Sequence, residues 1–220
     1  MNPNSFASPH QRPYVVVTGA VAAGASTLAD VLIGRLGWEG FLDSSVEDHN
    51  RFFADAYRDF SRWGFHSQLH FLTRSAGRHA RLQKMLATAG PAIVEDRTPF
   101  EHTGAYLRAL EALGRIPTRE AELLRATTTI IEGHFVIPDV LVYRQMSPEQ
   151  LLSRVRQRGR TGEDAADFEL FDALRISFDT FVEQWDRGTK IIVPATVDVH
   201  DAAALAAVIS QIEIATAATK

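Results

Sequence analysis

Tyr14-Val15-Val16-Val17-Thr18 is an unbroken, mostly β-branched run that ends on a glycine, and after the turn Leu28, Val31, Leu32 and Leu36 recur at helical spacing. A strand apolar along its whole length is one buried on both faces of a parallel sheet, and parallel strands need crossover helices between them. This one strand–turn–helix unit commits the chain to an α/β architecture. The turn, Gly19-Ala20-Val21-Ala22-Ala23-Gly24-Ala25-Ser26-Thr27, matches the phosphate-loop pattern G-x-x-x-x-G-K-[ST] except that Ala25 stands where lysine belongs. The glycines let backbone amides turn inward around phosphate oxygens, the helix start adds partial positive charge, and the Ser26 hydroxyl suits Mg²⁺. A glycine and alanine turn with no ligand is the bland alternative; the strand before it and the helix after it favour phosphate.

The alternation continues along the chain. Residues 40–43, 92–95, 140–143 and 190–193 read as four further strands, with helices through about 50–88 and between the later strands. The expected fold is a five-stranded parallel sheet flanked by helices. Ser147-Pro148-Glu149 starts a helix, with serine as N-cap, proline in the first turn and glutamate at the positive end of the helix dipole. That helix carries Arg154, Arg156, Arg158 and Arg160 and is expected to break at Gly162. A second amphipathic helix follows, with Phe168, Phe171, Leu174, Phe178 and Phe181 on one side. Helix, arginine-rich turn and helix predict a lid over about 153–167. An alanine-rich helix near 202–207 closes the chain.

The 220 residues, 45% of them hydrophobic, suit one domain over 13–220 behind a polar lead at 1–12 that is expected to be disordered and lacks the apolar core of a secretory signal. A net charge of −4 argues against binding to nucleic acid polymers, and no apolar run reaches the roughly 18 residues that span a bilayer. Zero cysteines exclude disulfides, thiolate catalysis and cysteine-ligated metals, and fit a cytoplasmic protein. Of 23 basic residues only Lys84, Lys190 and Lys220 are lysine, none near the glycine-rich turn. His66 and His70 lie four apart on a predicted helix without a third ligand, so a surface or cleft role is expected rather than zinc. Trp38, Trp63 and Trp185 read as core or cleft-wall residues.

Two further segments carry chemistry. Glu95-Asp96-Arg97-Thr98 ends the third strand, where α/β sheets place ligands; Asp96 suits a metal-bound water and Arg97 an acid or a phosphate oxygen. A local ion pair is the bland alternative. Arg154 to Arg160 put four guanidinium groups within seven residues, a planar grip for phosphoryl oxygens rather than merely a solvated basic face. Together with the glycine-rich turn, Asp96-Arg97-Thr98 and Arg154-Val155-Arg156-Gln157-Arg158-Gly159-Arg160-Thr161-Gly162-Glu163 resemble the deoxynucleoside kinase family of P-loop phosphotransferases. That family carries an [ED]-R-S motif after the third strand and a lid of the form R-x-x-x-R-G-R-x-x-E. The resemblance spans roughly 13–195.

The resemblance implies transfer of the ATP γ-phosphoryl group to a nucleoside 5′-hydroxyl with Mg²⁺. Asp43 at the end of the second strand would be the general base, with Glu47 in reserve, and Arg97 would hold that carboxylate and the 5′-oxygen. Tyr57 and, eleven residues on, Gln68 would contact sugar and base; Glu163 would join Tyr57 at the 3′-hydroxyl. Gly19, Ala22, Ala23, Gly24, Ala25, Ser26 and Thr27, with Arg154, Arg158 and Arg160, would hold phosphates, and Ser26 and Asp96 the metal. A homodimer is implied on the same footing. Three positions depart from the family pattern: Ala25 replaces lysine, His102 replaces the base-reading aspartate six residues after the motif acid, and Ser75 occupies the place of an arginine seven residues beyond Gln68. Ala25 is expected to slow transfer severely, whether as an engineered change in an active member or in a degenerate relative. A P-loop kinase for another small hydroxyl or nucleotide substrate, and a non-catalytic nucleotide-binding pseudokinase, remain as alternatives.

Overall fold

The first strand, β1 (Tyr14–Thr18), is the middle of the sheet because both faces of it are apolar: all five residues are buried. In the computed structural model, which describes residues 10–42, 49–159 and 167–217, β1 is flanked by β3 (Ile93–Asp96) and β4 (Val140–Arg144). Outside these lie β2 (Glu39–Phe41) and β5 (Thr189–Val193), in the order β2-β3-β1-β4-β5 with every pairing parallel. Alternation along β1 splits the core in two. Tyr14 and Val16 face a cluster shared with Leu72, Leu82, Phe171 and Phe178, whereas Val15 and Val17 face one built with Leu28, Leu32, Leu205 and Ile212.

Helix α1 (Ala25–Leu36) follows the glycine-rich turn, and α2 (Phe53–Arg58), α3 (Phe60–Leu86), α4 (Arg108–Ala112) and α5 (Thr118–Ile131) precede β4. After β4 come α6 (Pro148–Arg158), α7 (Phe168–Glu183) and, last, α8 (Ala202–Ala217). The chain places β2 and β3 on one side of β1 and β4 and β5 on the other, so the strand order reverses beside the carboxyl end of β1. Such a reversal opens a crevice in doubly wound sheets.

Two boundaries shift by residues, each for a local reason. β2 begins at Glu39, because α1 stops on left-handed Gly37 (φ 63°) and the chain runs straight into pairing with β3. The helices expected over 50–88 are two, divided at Asp59, whose non-helical backbone (φ −151°, ψ 86°) and carboxylate accepting the Arg62 amide start α3 afresh. The lid's first helix ends at Arg158 rather than running to Gly162, since Gly159 (φ 59°) turns left-handed and closes it with an N–H to Val155 oxygen. Its start is stronger than expected, because Ser147 and Gln150 cap each other's backbone amides reciprocally. On α7, Phe171, Leu174, Phe178 and Phe181 are buried as expected, but Phe168 in the first turn is 46% exposed. Trp185 is buried, and Trp63 stacks on Phe52 at 5.9 Å.

Candidate active site

The crevice at the end of β1 holds two cavities that share one wall residue. The first, about 650 Å³, is lined by every residue of Gly19–Thr27 except Val21, together with Arg97, Arg144, Arg154 and Arg158. The second is a narrow cleft lined by Tyr57, Gln68, Phe71, Arg97, Glu101, His102 and Tyr106, among others. Arg97 faces both.

The glycine-rich turn owes its shape to two left-handed residues, Ala22 (φ 66°) and Gly24 (φ 88°). Gly19 has no room for a side chain: a Cβ there would lie 2.9 Å from the Arg144 carbonyl oxygen and 3.0 Å from the Ala23 methyl. Ser26 in the first turn of α1 donates its hydroxyl to Asp96 Oδ2 at 2.7 Å, joining the loop to the end of β3. Burial raises the Asp96 carboxyl above its ordinary range, with the Ser26 bond opposing the shift. A hydroxyl and a carboxylate side by side at a phosphate loop are hard oxygen donors of the kind Mg²⁺ takes, so the residues fit the metal that the loop implies. Among the described residues no cluster of three or more His, Cys, Asp or Glu side chains could hold a metal by itself.

Arg97 leaves β3 in a left-handed conformation (φ 72°) while its amide still bonds Val17 oxygen at 2.8 Å. A non-glycine residue in that region costs on the order of 1 kcal/mol, and such strain concentrates where a side chain must be aimed. It turns Arg97 off the sheet edge into the crevice. Thr98 to Glu101 then form a turn, and a π-wound segment, His102–Leu107, carries His102 and Tyr106 to the cleft before α4 begins. π turns recur at functional sites.

Tyr57 and Gln68 meet in this cleft although α2 and α3 are separate helices, because the break at Asp59 folds α2 back toward α3. Gln68 is 9% exposed and its Oε1 has no hydrogen-bond partner among the described residues. The departures at Ser75 and His102 meet each other: Ser75 Oγ and His102 Nε2 are 2.8 Å apart, and the imidazole stacks on Phe71 at 6.0 Å. Burial pushes the His102 imidazole down to about 3, so it is neutral at ordinary pH.

Sequence reasoning missed three contributors. Glu101 is fully buried, accepts from the Thr18 hydroxyl at the root of the phosphate loop, and leaves Oε1 without a partner among the described residues. Burial pushes its carboxyl up to about 7. Arg144, 4% exposed at the end of β4, is a cation beneath the loop that bonds the Pro194 oxygen; its place after a strand was the only signal. Beneath the cleft, Tyr14 Oη donates to Glu95, and Arg78 spans Glu95 Oε1 (3.0 Å) and the Phe41 oxygen (2.8 Å), tying β2's end to β3. Asp43, Glu47, Arg160 and Glu163 lie outside the described residues. Arg154 and Arg158 line the phosphate cavity. His66 packs against Phe52 and Trp63 on the surface.

Comparison with known proteins places the chain in a family. The deoxynucleoside kinase family model matches residues 15–215. The chain is 29% identical over 170 residues to a deoxyadenosine/deoxycytidine kinase of Bacillus subtilis (strain 168), covering 76% of each chain. Its fold is similar to a deoxyadenosine kinase from M. mycoides solved with the products dCMP and dCDP (TM-score 0.78, 22% identity, 91% of this chain and 99% of that one). The same kinase with bound dATP gives a TM-score of 0.76 at 21% identity over the same shares. The family model spans nearly the whole chain, and the chain belongs to the deoxynucleoside kinase family.

Proposed function

We propose that this protein transfers the γ-phosphoryl group of ATP to the 5′-hydroxyl of a deoxynucleoside. The observation that carries the reading is Arg97, which lines the phosphate cavity and the side-chain-walled cleft together. A group seated in one is thereby brought against a group seated in the other, the proximity that phosphoryl transfer needs. The loop amides and the cavity arginines hold the triphosphate. As the 5′-oxygen bonds to the γ-phosphorus, the bond from phosphorus to the β,γ-bridging oxygen breaks, that oxygen keeps the electron pair, and ADP leaves. The hydroxyl proton goes to a carboxylate, for which Asp43 is the candidate by resemblance and Glu47 the reserve. Ser26 and Asp96 would hold Mg²⁺, which when bound would supply neutralisation of phosphate charge. Arg97 orients the 5′-oxygen and Tyr57 and Glu163 the sugar.

The base edge meets Gln68, whose carboxamide can donate and accept, and beyond it the neutral Ser75–His102 pair. A serine hydroxyl either donates to Nε2, leaving Nδ1–H a donor, or accepts from Nε2–H, leaving Nδ1 an acceptor. Such a pair suits amino and keto bases alike. Exposed Leu123 and Ile130 on α5 and Ile176 on α7 are consistent with a homodimer. Among the described residues no helix is long and apolar enough to cross a membrane, and a cytoplasmic location is part of the same reading. The test is incubation with ATP, Mg²⁺ and a panel of deoxynucleosides: the expected products are 5′-monophosphates and ADP. Binding of ATP with no transfer to any nucleoside, even in an Ala25→Lys variant, would leave a nucleotide-binding protein instead.

A further inference from the structure

The phosphate cavity lacks lysine, and Ala25 cannot replace it. Its methyl group is 8% exposed and belongs to the apolar cluster with Val17, Leu28 and Val94, so this position contributes packing and no charge. Neither described lysine lines the cavity: Lys190 Nζ is held on the Val182 and Glu183 carbonyls, at 3.0 and 2.7 Å, and Lys84 sits in the last turn of α3. Four guanidinium groups line the cavity instead, from Arg97, Arg144, Arg154 and Arg158. One of them lies on the loop itself. Arg154 Nη1 donates to the carbonyl oxygens of Ala22 and Ala23 at 3.3 and 3.2 Å, a contact made from 132 and 131 residues away.

That seat depends on Gly24. A Cβ built there would stand 2.8 Å from Arg154 Nη1, so the missing side chain lets a guanidinium rest on the loop next to Ala25. The helix that presents it is fixed at both ends, by the reciprocal Ser147–Gln150 cap and by Gly159, and Leu151 and Val155 anchor its inner side. Arg144 lies lower and is buried, and burial together with the charge of Arg154 lowers its affinity for a proton. Arg154 is the exposed partner of the two, with Nε and Nη2 carrying donors beyond the Nη1 contacts.

We propose that Arg154 supplies, from α6, the loop charge that Ala25 lacks, so that the chain as it stands transfers phosphate. The inference rests on the phosphoryl-transfer reading above. During transfer the guanidinium would turn its remaining donors to the β- and γ-phosphate oxygens as negative charge moves onto the departing ADP. An arginine is always protonated and grips two oxygens at once, so it can do from the lid side what an ammonium group does from within the loop.

The experiment is a four-variant cycle assayed with ATP, Mg²⁺ and the deoxynucleoside panel: the protein itself, Arg154→Ala, Ala25→Lys, and both changes together. Thermal unfolding and ATP titration accompany each, and Arg154→Gln repeats the cycle if the alanine variant unfolds. The expected result is activity in the protein itself, a loss in kcat of about 100-fold or more in Arg154→Ala, and recovery to within about tenfold of the starting kcat when Ala25→Lys is added. Three results overturn the inference: no loss in Arg154→Ala, the same loss with and without the lysine, or activity only after Ala25→Lys. The last leaves the kinase reading intact, whereas no transfer by any variant removes that reading.

Discussion

The two ends of the crevice are built from different material. At the phosphate end the wall is the glycine-rich turn, Gly19 to Thr27 without Val21, joined by arginines from the end of β3, β4 and α6. At the cleft end the wall is side chains of α2, α3 and the π-wound segment among others, with Gln68 and His102 presenting neutral polar groups and Ser75 bonded behind His102. The difference teaches which changes each end can absorb. A loop that binds through amides keeps its shape when a side chain such as the lysine is lost, and any cation within reach can restore charge. A cleft that reads its ligand through side chains changes what it reads when two of them change. Ser75 and His102, joined in one hydrogen bond, are where such a change is to be tested.

The comparison can be broken at the wall the two ends share. Arg97→Ala is expected to lower kcat/KM by about 10³-fold, or about 4 kcal/mol of transition-state stabilisation, because it removes one charge from both cavities. Steady-state kinetics with both substrates varied would show it. A loss confined to the KM for ATP would mean that Arg97 serves the phosphate end alone.

Glu101 tests how the ends are joined beneath, through its bond to Thr18. Its carboxyl is raised to about 7 by burial, against the opposing effects of the Thr18 bond, the Arg97 charge and the Thr98 amide; Asp96 adds to the rise. The folded state therefore binds a proton that the unfolded state releases near the ordinary glutamate range, and stability falls as pH rises from about 4.5 to about 7. On the order of 3 kcal/mol is at stake. Urea unfolding of Glu101→Gln without nucleotide or metal is expected to lose this slope, so that the variant gains on its parent across that window. Parallel curves would show that Glu101 titrates normally.

Gln68→Ala sharpens the division of labour. Removing a buried carboxamide from the cleft is expected to reduce kcat/KM for the nucleoside by about 10- to 100-fold, roughly 1–3 kcal/mol, and to leave the KM for ATP unchanged. An equal rise in the ATP KM would count against a base-reading role. The smallest effect is expected from His102→Asp, which replaces a neutral imidazole by an acceptor-only carboxylate beside Ser75. The ratio of kcat/KM for deoxyadenosine over deoxyinosine should move by about tenfold toward the amino base, about 1.4 kcal/mol. An unchanged ratio would place the discrimination elsewhere in the cleft.

Much of the architecture was legible because it rests on short-range rules. Tyr14–Thr18 could be only a central strand, Ser147-Pro148 could only start a helix, and glycines at 19 and 24 marked a turn that side chains would fill. Boundaries moved where a single residue decided them: Gly37 and Gly159 each ended a helix through its own left-handed backbone, and Asp59 set where the helices of 50–88 divide. In the site, Ser26 and Asp96 were legible as a pair by motif and are joined at 2.7 Å. Glu101 carried no such signal, because what sets it apart is burial against Thr18, 83 residues earlier in the chain.

What the sequence by itself determined is the parallel sheet and the phosphate loop, since β-branched runs and glycine spacing act on the backbone locally. The tertiary structure alone decided that Arg154 reaches the loop at Ala22 and Ala23, and that Ser75 and His102 form one bonded pair. Both contacts join residues far apart in the chain. Packing of α6 and α3 against the sheet brings their side chains within hydrogen-bond range, and no local rule contains that distance.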